Sequence, residues 1–316
     1  MTLGTPTQPA RLVVIGSINQ DYFTYVDEFP HPGQTVLAQR AAIGLGGKGA
    51  NQAMAAAALG CPVLFVGAVG SDSAATAALE GLRAGGVDTT GILILTDVLT
   101  GAAYITVSGT GENTIVVSAA ANAGLDARTA ESRLEELGVT ASDVLLCQGE
   151  LSAAVVERVA ATASRVGARF VLNLAPVIPL SRTVLTAAAV LIVNEGEAQD
   201  LAARLGVDDL ASHLGIPLVV TLGSRGARLT DGAVSIEQAA PRPSEVVDTT
   251  GAGDAFVGAL AAALVAGLDL ETAVRAGVAA GTAAVEKTGT TTSYVTGVTP
   301  AELATRAPHS FAAVTE

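Results

Sequence analysis

The segment VDTTGAGDAF, which begins at Val247, combines small residues with a carboxylate at the start of a predicted helix. The backbone N–H groups of Gly251, Ala252 and Gly253 lie at the positive end of that helix, where such groups hold a phosphate or a developing phosphoryl charge. Asp254 follows in the first turn, where a carboxylate would repel a bound phosphate. We therefore predict that Asp254 takes a proton from a hydroxyl that attacks the phosphorus. The alternative is that Asp254 only caps the helix.

Polar residues elsewhere in the chain are suited to the hydroxyls of a small polyol. Asn19 and Asp21 are two apart in an extended segment, so they project to one side after the first predicted strand, where open α/β sheets bind ligands. Lys48 and Asn51 are three apart at a predicted helix start and point the same way as donors. Glu150 ends another strand-like run and could add an acceptor. The alternative for the first pair is that they shape a turn.

The glycine run GLGGKG at 44–49 also satisfies the pattern of a dinucleotide-binding loop, and Asp72 lies at the distance that this pattern expects. The run does not follow the first predicted strand, however, and Gly49 stands after the lysine where a phosphate-binding loop needs Ser or Thr. We favour the interpretation that Gly46 and Gly47 let a polyol approach the backbone.

A second candidate ion site follows the predicted strand Val190 to Val193. Asn194 and Glu197 start a helix and share one face of it, where two oxygen-bearing side chains could hold the water shell of Mg²⁺. The alternative is a helix cap and a solvated helix residue.

Composition excludes several classes of function. The net charge of −13 over 316 residues argues against nucleic-acid binding. Half of the residues are hydrophobic, but the longest apolar run, Ala255 to Leu268, is too short to span a bilayer, so we expect no membrane association. The N-terminal residues lack the pattern of an export signal.

Cysteine and histidine usage points to a reducing compartment and to no metal centre built on these residues. Cys61 and Cys147 are expected to be buried free thiols, which fits the cytoplasm. The three histidines, His31, His213 and His309, lack the spacing of metal ligands.

Apolar runs of strand length alternate with helical patterns, which predicts an α/β fold with a parallel sheet covered by helices on both faces. The predicted strands are Leu12 to Ile15, Val63 to Val69, Val144 to Cys147, Phe170 to Leu174, Val190 to Val193 and Leu218 to Leu222. The predicted helices are Ala50 to Leu59, Ser73 to Ala84, Ala153 to Val166 and Glu195 to Leu205, followed by a mostly helical final third from Gly253. Two segments, Tyr22 to Ala42 and Thr90 to Ser118, have strand patterns without helices and predict a small β lid, with a hairpin turn at Ser108 to Asn113.

From about Arg11 to Val298 the chain resembles the ribokinase family of sugar kinases, on two signatures: GGKGAN from Gly46 and DTTGAGD from Asp248. The resemblance implies a ribokinase-like α/β fold, with a central, mostly parallel sheet flanked by helices and a small β-sheet lid. It also implies one domain over residues 1–316, with the lid inserted at about 22–42 and 90–118.

The resemblance also assigns roles to residues. It implies that Asp254 is the general base and that the backbone of Gly251 to Gly253 is the anion hole. The implied sugar contacts are Asn19, Asp21, Gly47, Lys48, Asn51, Glu150 and Asp254. The implied contacts to the nucleotide and its Mg²⁺ are Asn194, Glu197, Thr221, Gly223, Gly226 and Gly253. The implied monovalent-cation site comprises Asp248, Thr250, Ala284, Lys287, Gly289 and Ser293.

Two stretches depart from the family pattern. Leu174 stands where a proline is common, and threonines fill the middle of the cation loop at Thr290 to Thr292. At the cation site, K⁺ would neutralise Asp248 and set the backbone of the anion hole; the alternative is that Asp248 caps the loop before the helix.

The implied reaction is ATP-dependent phosphorylation of D-ribose at its 5-hydroxyl. The alternatives are a sister kinase acting on deoxyribose, fructose, adenosine or pseudouridine, and a sugar-binding regulator without catalysis. A lid with an open sheet edge invites pairing with a second subunit, so we expect a homodimer through the lid.

Overall fold

The computed structural model describes residues 9–308 and 311–313, which form one ten-stranded and one four-stranded sheet. The strands are β1 (Leu12–Ile15), β2 (Asn19–Tyr25), β3 (Arg40–Gly46), β4 (Val63–Val69), β5 (Val87–Ile94), β6 (Gly101–Val107), β7 (Asn113–Ser118), β8 (Val144–Gln148), β9 (Arg169–Asn173), β10 (Val190–Asn194), β11 (Leu218–Thr221), β12 (Ala227–Asp231), β13 (Val234–Gln238) and β14 (Phe311–Ala313). The helices are α1 (Lys48–Ala58), α2 (Ser73–Ala84), α3 (Ala121–Gly124), α4 (Ala127–Glu136), α5 (Ala153–Val166), α6 (Arg182–Thr186), α7 (Glu195–Leu205), α8 (Leu210–Leu214), α9 (Ala252–Val265), α10 (Leu270–Ala284) and α11 (Pro300–Ala304).

The large sheet is parallel through its centre and antiparallel at one edge. Its order is β14-β13-β12-β11-β10-β9-β8-β1-β4-β5, and the pairs from β5 to β11 are all parallel. Leu12 and Val14 of β1 pack into one hydrophobic core, and Val13 and Ile15 pack into the other, because successive side chains point to opposite faces. The prediction of a central, mostly parallel sheet flanked by helices is confirmed.

Capping residues explain why several helices have the predicted bounds. Helices α2, α5 and α7 begin and end as predicted, and the side chains of Asp72, Ser152 and Asn194 accept an N–H from their first turns. Helices α5 and α7 end at Gly167 and Gly206, which are both left-handed. Helix α1 spans Lys48–Ala58 rather than Ala50 to Leu59, and β8 to β11 differ from the predicted bounds by one residue at one or both ends.

The small sheet has the order β3-β2-β6-β7 and is built of strands from both predicted inserted regions. Strands β6 and β7 form an antiparallel hairpin around the predicted turn. The sheet extends beyond the predicted 22–42, since β2 begins at Asn19 and β3 ends at Gly46. The assignment of Thr90 to Ile94 to the lid is wrong, because this stretch pairs with β4 as β5 of the large sheet. The β-branched residues of this stretch are compatible with either sheet, so the sequence pattern does not show which strand it pairs with.

The two faces of the small sheet differ in character. On the outer face, Tyr22 is in register with Ile43 and Tyr104, and Tyr104 with Val116. The two tyrosine rings are stacked with centroids 5.3 Å apart. Ile43, Tyr104 and Val116 are 64%, 53% and 68% exposed. Asp21 lies on the opposite face, which is turned to the rest of the molecule, and is buried.

The antiparallel extension β12-β13-β14 was not predicted, because no alternation with helices marks it. Cys61 and Cys147 are buried and free, as expected. His309 lies outside the described residues. Among the residues that are described, no helix combines the length and apolar character needed to cross a bilayer.

Candidate active site

Asp254 lies in the first turn of α9, at a helix start whose backbone conformation favours glycine. Gly251 precedes the helix with φ of 79°, and a Cβ added there would lie 3.2 Å from Thr290. The N–H of Ala252 donates to the carbonyl of Thr249 over 3.3 Å, so one of the predicted anion-hole donors already has a partner. First-turn N–H groups such as that of Gly253 have no carbonyl one turn earlier in the helix and can meet an anion.

The carboxylate of Asp254 is held by two amides from α1. Asn51 Nδ2 donates to Oδ2 over 3.0 Å, and Gln52 Nε2 donates to Oδ1 over 2.9 Å. Asp254 is only 8% exposed, and these charge-assisted bonds compensate for its burial. The structure therefore brings the predicted Asn51 to the predicted base. Gln52 was missed, since a glutamine inside an alanine-rich helix has no motif of its own.

Asp21 approaches Asp254 from the small sheet. Burial, together with the charges of Glu150 and Asp254, raises the pKa of Asp21 to about 7. Asp21 Oδ1 is a buried acceptor without a partner. A Cβ on Gly46 would lie 2.0 Å from the Asp21 carboxylate, so the glycine of β3 makes room for it.

Glu150 ties the first strand to the start of α1. Its Oε2 accepts from Ser17 Oγ over 2.5 Å and from the backbone N–H of Lys48 over 3.0 Å. Gly47 precedes the helix with φ of 88°, and a Cβ there would lie 2.8 Å from the carbonyl oxygen of Ser17. The glycine run thus permits a close backbone approach. The run spans the end of β3 in the small sheet and the start of α1, as expected for a run that is not a dinucleotide loop.

The Lys48 ammonium lies among carboxylates. Its pKa is raised chiefly by the charge of Asp254, with further contributions from Glu150 and Glu197, whereas burial lowers it. The charges of these carboxylates therefore stabilise the Lys48 cation, which can also attract a phosphoryl group.

Asn19 is oriented by Asn122, a residue that the sequence did not single out. Asn122 Nδ2 donates to Asn19 Oδ1 over 2.8 Å and to the carbonyl of Ile18 over 3.1 Å, and its Oδ1 accepts from the N–H of Ile18 over 2.9 Å. Because Asn19 Oδ1 is engaged in this way, Asn19 Nδ2 is the group that is left for a ligand.

A cavity of about 360 Å³ opens beside the start of α9. Four predicted nucleotide contacts line it, namely Thr221, Gly223, Gly226 and Gly253, and the last of these lies with Ala252 at the start of α9. The rest of the lining is largely apolar: Val246, Phe256, Val278 and Val285 among others. Phe256 on α9 and Val278 on α10 were missed because the apolar pattern of these helices resembles ordinary core. A slot of this size with an apolar wall and a phosphate-binding end suits a nucleotide.

Asn194 and Glu197 do not line this cavity and form a capping box instead. The N–H of Asn194 donates to Glu197 Oε2 over 2.7 Å, and the N–H of Glu197 donates to Asn194 Oδ1 over 2.8 Å. The structure thus shows the helix cap that the sequence analysis gave as the alternative to an ion site at this pair. The pKa of Glu197 is raised, chiefly by burial and also by the charge of Asp254, although a bond from the Asn194 backbone and the charge of Lys48 lower it.

Asp248 joins two loops next to the helix start. Its side chain accepts the N–H of Thr250 and the N–H of Gly289, each over 2.9 Å. Burial raises the pKa of Asp248, but the bonds from Gly289 and Thr250 outweigh that effect and hold it below its usual value. These bonds are those of a loop-capping carboxylate, the alternative given above.

The other residues of the predicted cation site make local bonds in the same loop. Lys287 N–H donates to the carbonyl of Ala284 over 3.3 Å, and the buried Ser293 hydroxyl donates to the carbonyl of Thr290 over 2.6 Å. Across the described part of the chain, no three His, Cys, Asp or Glu side chains are grouped in a way that could hold a metal ion.

Comparison with known proteins places these features in a family. Residues 9–296 match the pfkB family carbohydrate kinase. The ribokinase of Haemophilus influenzae is 35% identical over 293 residues, which cover 90% of this chain and 95% of that protein. The ribokinase of Bacillus subtilis is 38% identical over 266 residues, with 84% and 89% covered.

The fold agrees with that of solved relatives. The structure of Arabidopsis thaliana ribokinase complexed with ribose and ATP superposes with a TM-score of 0.81 at 27% identity, covering 95% of this chain and 99% of that one. This match confirms the expected ribokinase-like fold.

Proposed function

The chain belongs to the pfkB family of carbohydrate kinases, and we propose that it transfers the γ-phosphoryl group of ATP to the 5-hydroxyl of D-ribose. One observation carries this proposal: the buried carboxylate of Asp254 is bonded to Asn51 of a polar cluster, and it directly follows Ala252 and Gly253, which line an apolar cavity. The polar cluster comprises Asn19, Asp21, Lys48, Asn51 and Glu150. A carboxylate in this position would be adjacent to a sugar hydroxyl on one side and to the phosphate chain of ATP on the other.

In the proposed reaction, Asp254 takes the proton of the 5-hydroxyl as its oxygen attacks the γ-phosphorus. The new O–P bond forms while the bond from the γ-phosphorus to the bridging oxygen of ADP breaks. The backbone N–H of Gly253 and the ammonium of Lys48 stabilise the charge on the transferred group. Asn19 Nδ2 and the carboxylates of Asp21 and Glu150 pair with the ring hydroxyls.

Mg²⁺ bound with ATP would neutralise charge on the transferred group. The donor set fits such an ion: Glu197 Oε1 is outside the capping box, and Asn194 is in register with Thr221 of the cavity wall. Oxygen ligands acting through water are the usual way in which proteins hold this cation.

We also propose a K⁺ site at Asp248. The loop that contains Gly289 and Ser293 is bonded to this carboxylate, and Thr290 contacts Gly251 at the helix start. The carboxylate, backbone carbonyls and Ser293 hydroxyl oxygen are hard donors, which fit a large monovalent cation. Such an ion would act on the anion hole and not on the sugar.

The proposed role of the small sheet is that of a lid on a single α/β domain spanning 1–316. Its inner face carries Asp21 toward the site, and its closure would exclude water. Its outer row of Ile43, Tyr22, Tyr104 and Val116 is an exposed apolar patch beside two open sheet edges, which supports a homodimer formed through the lid. The two buried free thiols support a cytoplasmic location.

The test is ADP release at fixed ATP with a panel of pentoses, hexoses and nucleosides. We expect ribose to give the highest kcat/KM. In Asp254→Asn, turnover is expected to fall by roughly 10²–10⁴ with ribose binding nearly unchanged, because the shape is kept and the proton acceptor is lost. Thr162→Val, at a buried hydroxyl on α5 away from the site, is the control. Near-normal turnover in Asp254→Asn, or preference for another sugar, would overturn the proposal.

A further inference from the structure

A chain of buried amides ends at one oxygen of Asp254. Asn173 Nδ2 donates to the backbone carbonyl of Ile192 over 3.1 Å. Gln52 Nε2 donates both to Asn173 Oδ1 over 2.8 Å and to Asp254 Oδ1 over 2.9 Å. Gln148 Nε2 donates to Gln52 Oε1 over 2.9 Å. Gln52 and Gln148 are fully buried, so no solvent replaces these partners.

The polarity of this chain is set by its backbone end. A carbonyl oxygen only accepts, so Asn173 must turn its Nδ2 to Ile192 and its Oδ1 to Gln52. Gln52 must then turn its Nε2 toward Asn173 and Asp254. A reversed Gln52 amide would place its oxygen against two acceptor oxygens and its nitrogen against Gln148 Nε2, which is unfavourable on every side. The two N–H groups of Gln52 therefore donate to Asn173 and to Asp254, and the amide orientation is fixed.

The two oxygens of Asp254 consequently differ. Oδ1 is bonded to Gln52, in the fully buried interior. Oδ2 is bonded to Asn51, whose own Oδ1 is a buried acceptor without a partner and which belongs to the cluster that faces the proposed sugar. We propose that Gln52 is a positioning residue: it holds Oδ1 of Asp254 so that Oδ2 is the oxygen that takes the proton from the attacking hydroxyl. This inference rests on the proposed function, in which Asp254 is the base.

The first test is Gln52→Met, which keeps the shape of the side chain and removes both donors. With the purified full-length chain, kcat is expected to fall about 10- to 100-fold, with the KM for ribose and ATP changing less than about threefold. Thr162→Val is the control for a buried substitution, and thermal unfolding shows whether each variant is folded. A kcat equal to that of the unmodified chain, or a loss confined to KM, overturns the inference.

The second test separates positioning from general support of the fold. If Gln52 acts through Asp254, then Gln52→Met added to Asp254→Asn should lower the residual turnover by less than about twofold, because the group that it positions is already absent. If the fold-loss in turnover of the double variant equals the product of the losses of the two single variants, Gln52 acts independently of Asp254, and the inference fails.

A third variant, Asn173→Leu, leaves Gln52 in place but removes the acceptor that fixes its polarity. The expected loss in kcat is about three- to tenfold at unchanged KM. An unchanged kcat overturns the inference even if Gln52→Met does not fold. The outcomes also separate the two proposals: an active Asp254→Asn removes the proposed base, whereas an inactive Asp254→Asn with a fully active Gln52→Met removes only the positioning role.

Discussion

Ribose affinity is expected to increase with pH through neutrality because of Asp21. Burial, followed by the charges of Glu150 and Asp254, raises the pKa of this carboxyl to about 7 in the free protein. Its Oδ1 has no partner until a ligand arrives. A sugar hydroxyl that donates to this oxygen stabilises the ionised form, so binding favours the charged carboxylate and releases a proton where Asp21 was protonated.

The expected size follows from the two pKa values. If the hydrogen bonds of the complex return the pKa of Asp21 toward its ordinary 3.8, affinity follows the ionised fraction of the free protein. That fraction is about 0.9 at pH 8 and about 0.1 at pH 6 for a pKa near 7, so the dissociation constant of ribose should be about tenfold larger at pH 6, or about 1.4 kcal/mol. The direction of the effect follows from the raised pKa. As the pH falls through 7, Asp21 becomes protonated in the free protein, and ribose, which binds the ionised form, binds more weakly.

The assay is calorimetric titration of ribose without ATP at pH 6, 7 and 8. Repeating it in two buffers of different ionisation enthalpy counts the protons released. Asp21→Asn is the matched control, since it keeps the shape and should remove the pH dependence. Equal affinity at pH 6 and pH 8, or tighter binding at pH 6, would refute the reasoning.

Three further predictions concern other parts of the molecule. Ribose should be preferred over 2-deoxyribose in kcat/KM, and Asn19→Ala should narrow the gap, because a site that pairs a hydroxyl is left with unpaired groups when that hydroxyl is missing; equal efficiency on both sugars in the unmodified chain would contradict this. Activity should rise with K⁺ at constant ionic strength compared with Na⁺ or a bulky organic cation, and equal turnover in all three salts would exclude the cation site. Val116→Glu should shift the chain to a monomer in light scattering, whereas Val234→Glu, at a residue of similar exposure in β13, should not; an unchanged mass for Val116→Glu would rule out the lid as the interface.

Local signals were sufficient for much of the fold. The bounds of α2, α5 and α7 could be predicted because a capping side chain begins each helix. Thr90 to Ile94 could not be assigned to a sheet, since strand propensity does not name the partner strand. The antiparallel β12 and β13 lacked the helix alternation on which the prediction of strands relied.

In the candidate site, too, local sequence motifs predict some residues and not others. Asp254, Asn51 and Lys48 stand in small-residue motifs at helix starts, where position alone indicates chemistry. Gln52 and Asn122 could not be predicted from a local motif, because their roles depend on partners more than a hundred residues away in the chain. Asn194 and Glu197 illustrate the opposite case, in which a local capping box accounts for a pair that the sequence also allowed as an ion site.

Asp21 and Tyr22 are consecutive residues of β2, and they belong to opposite faces of the small sheet. A hydrogen-bonded strand moves as one body, so a displacement imposed on its outer row shifts the carboxylate on its inner side. If the proposed homodimer forms through this face, a subunit contact that favours one position of β2 would change the affinity for the sugar, and by thermodynamic reciprocity the sugar would change the dissociation constant of the subunits by the same factor. The affinity of such a dimer for its substrate would then depend on the total concentration of the protein.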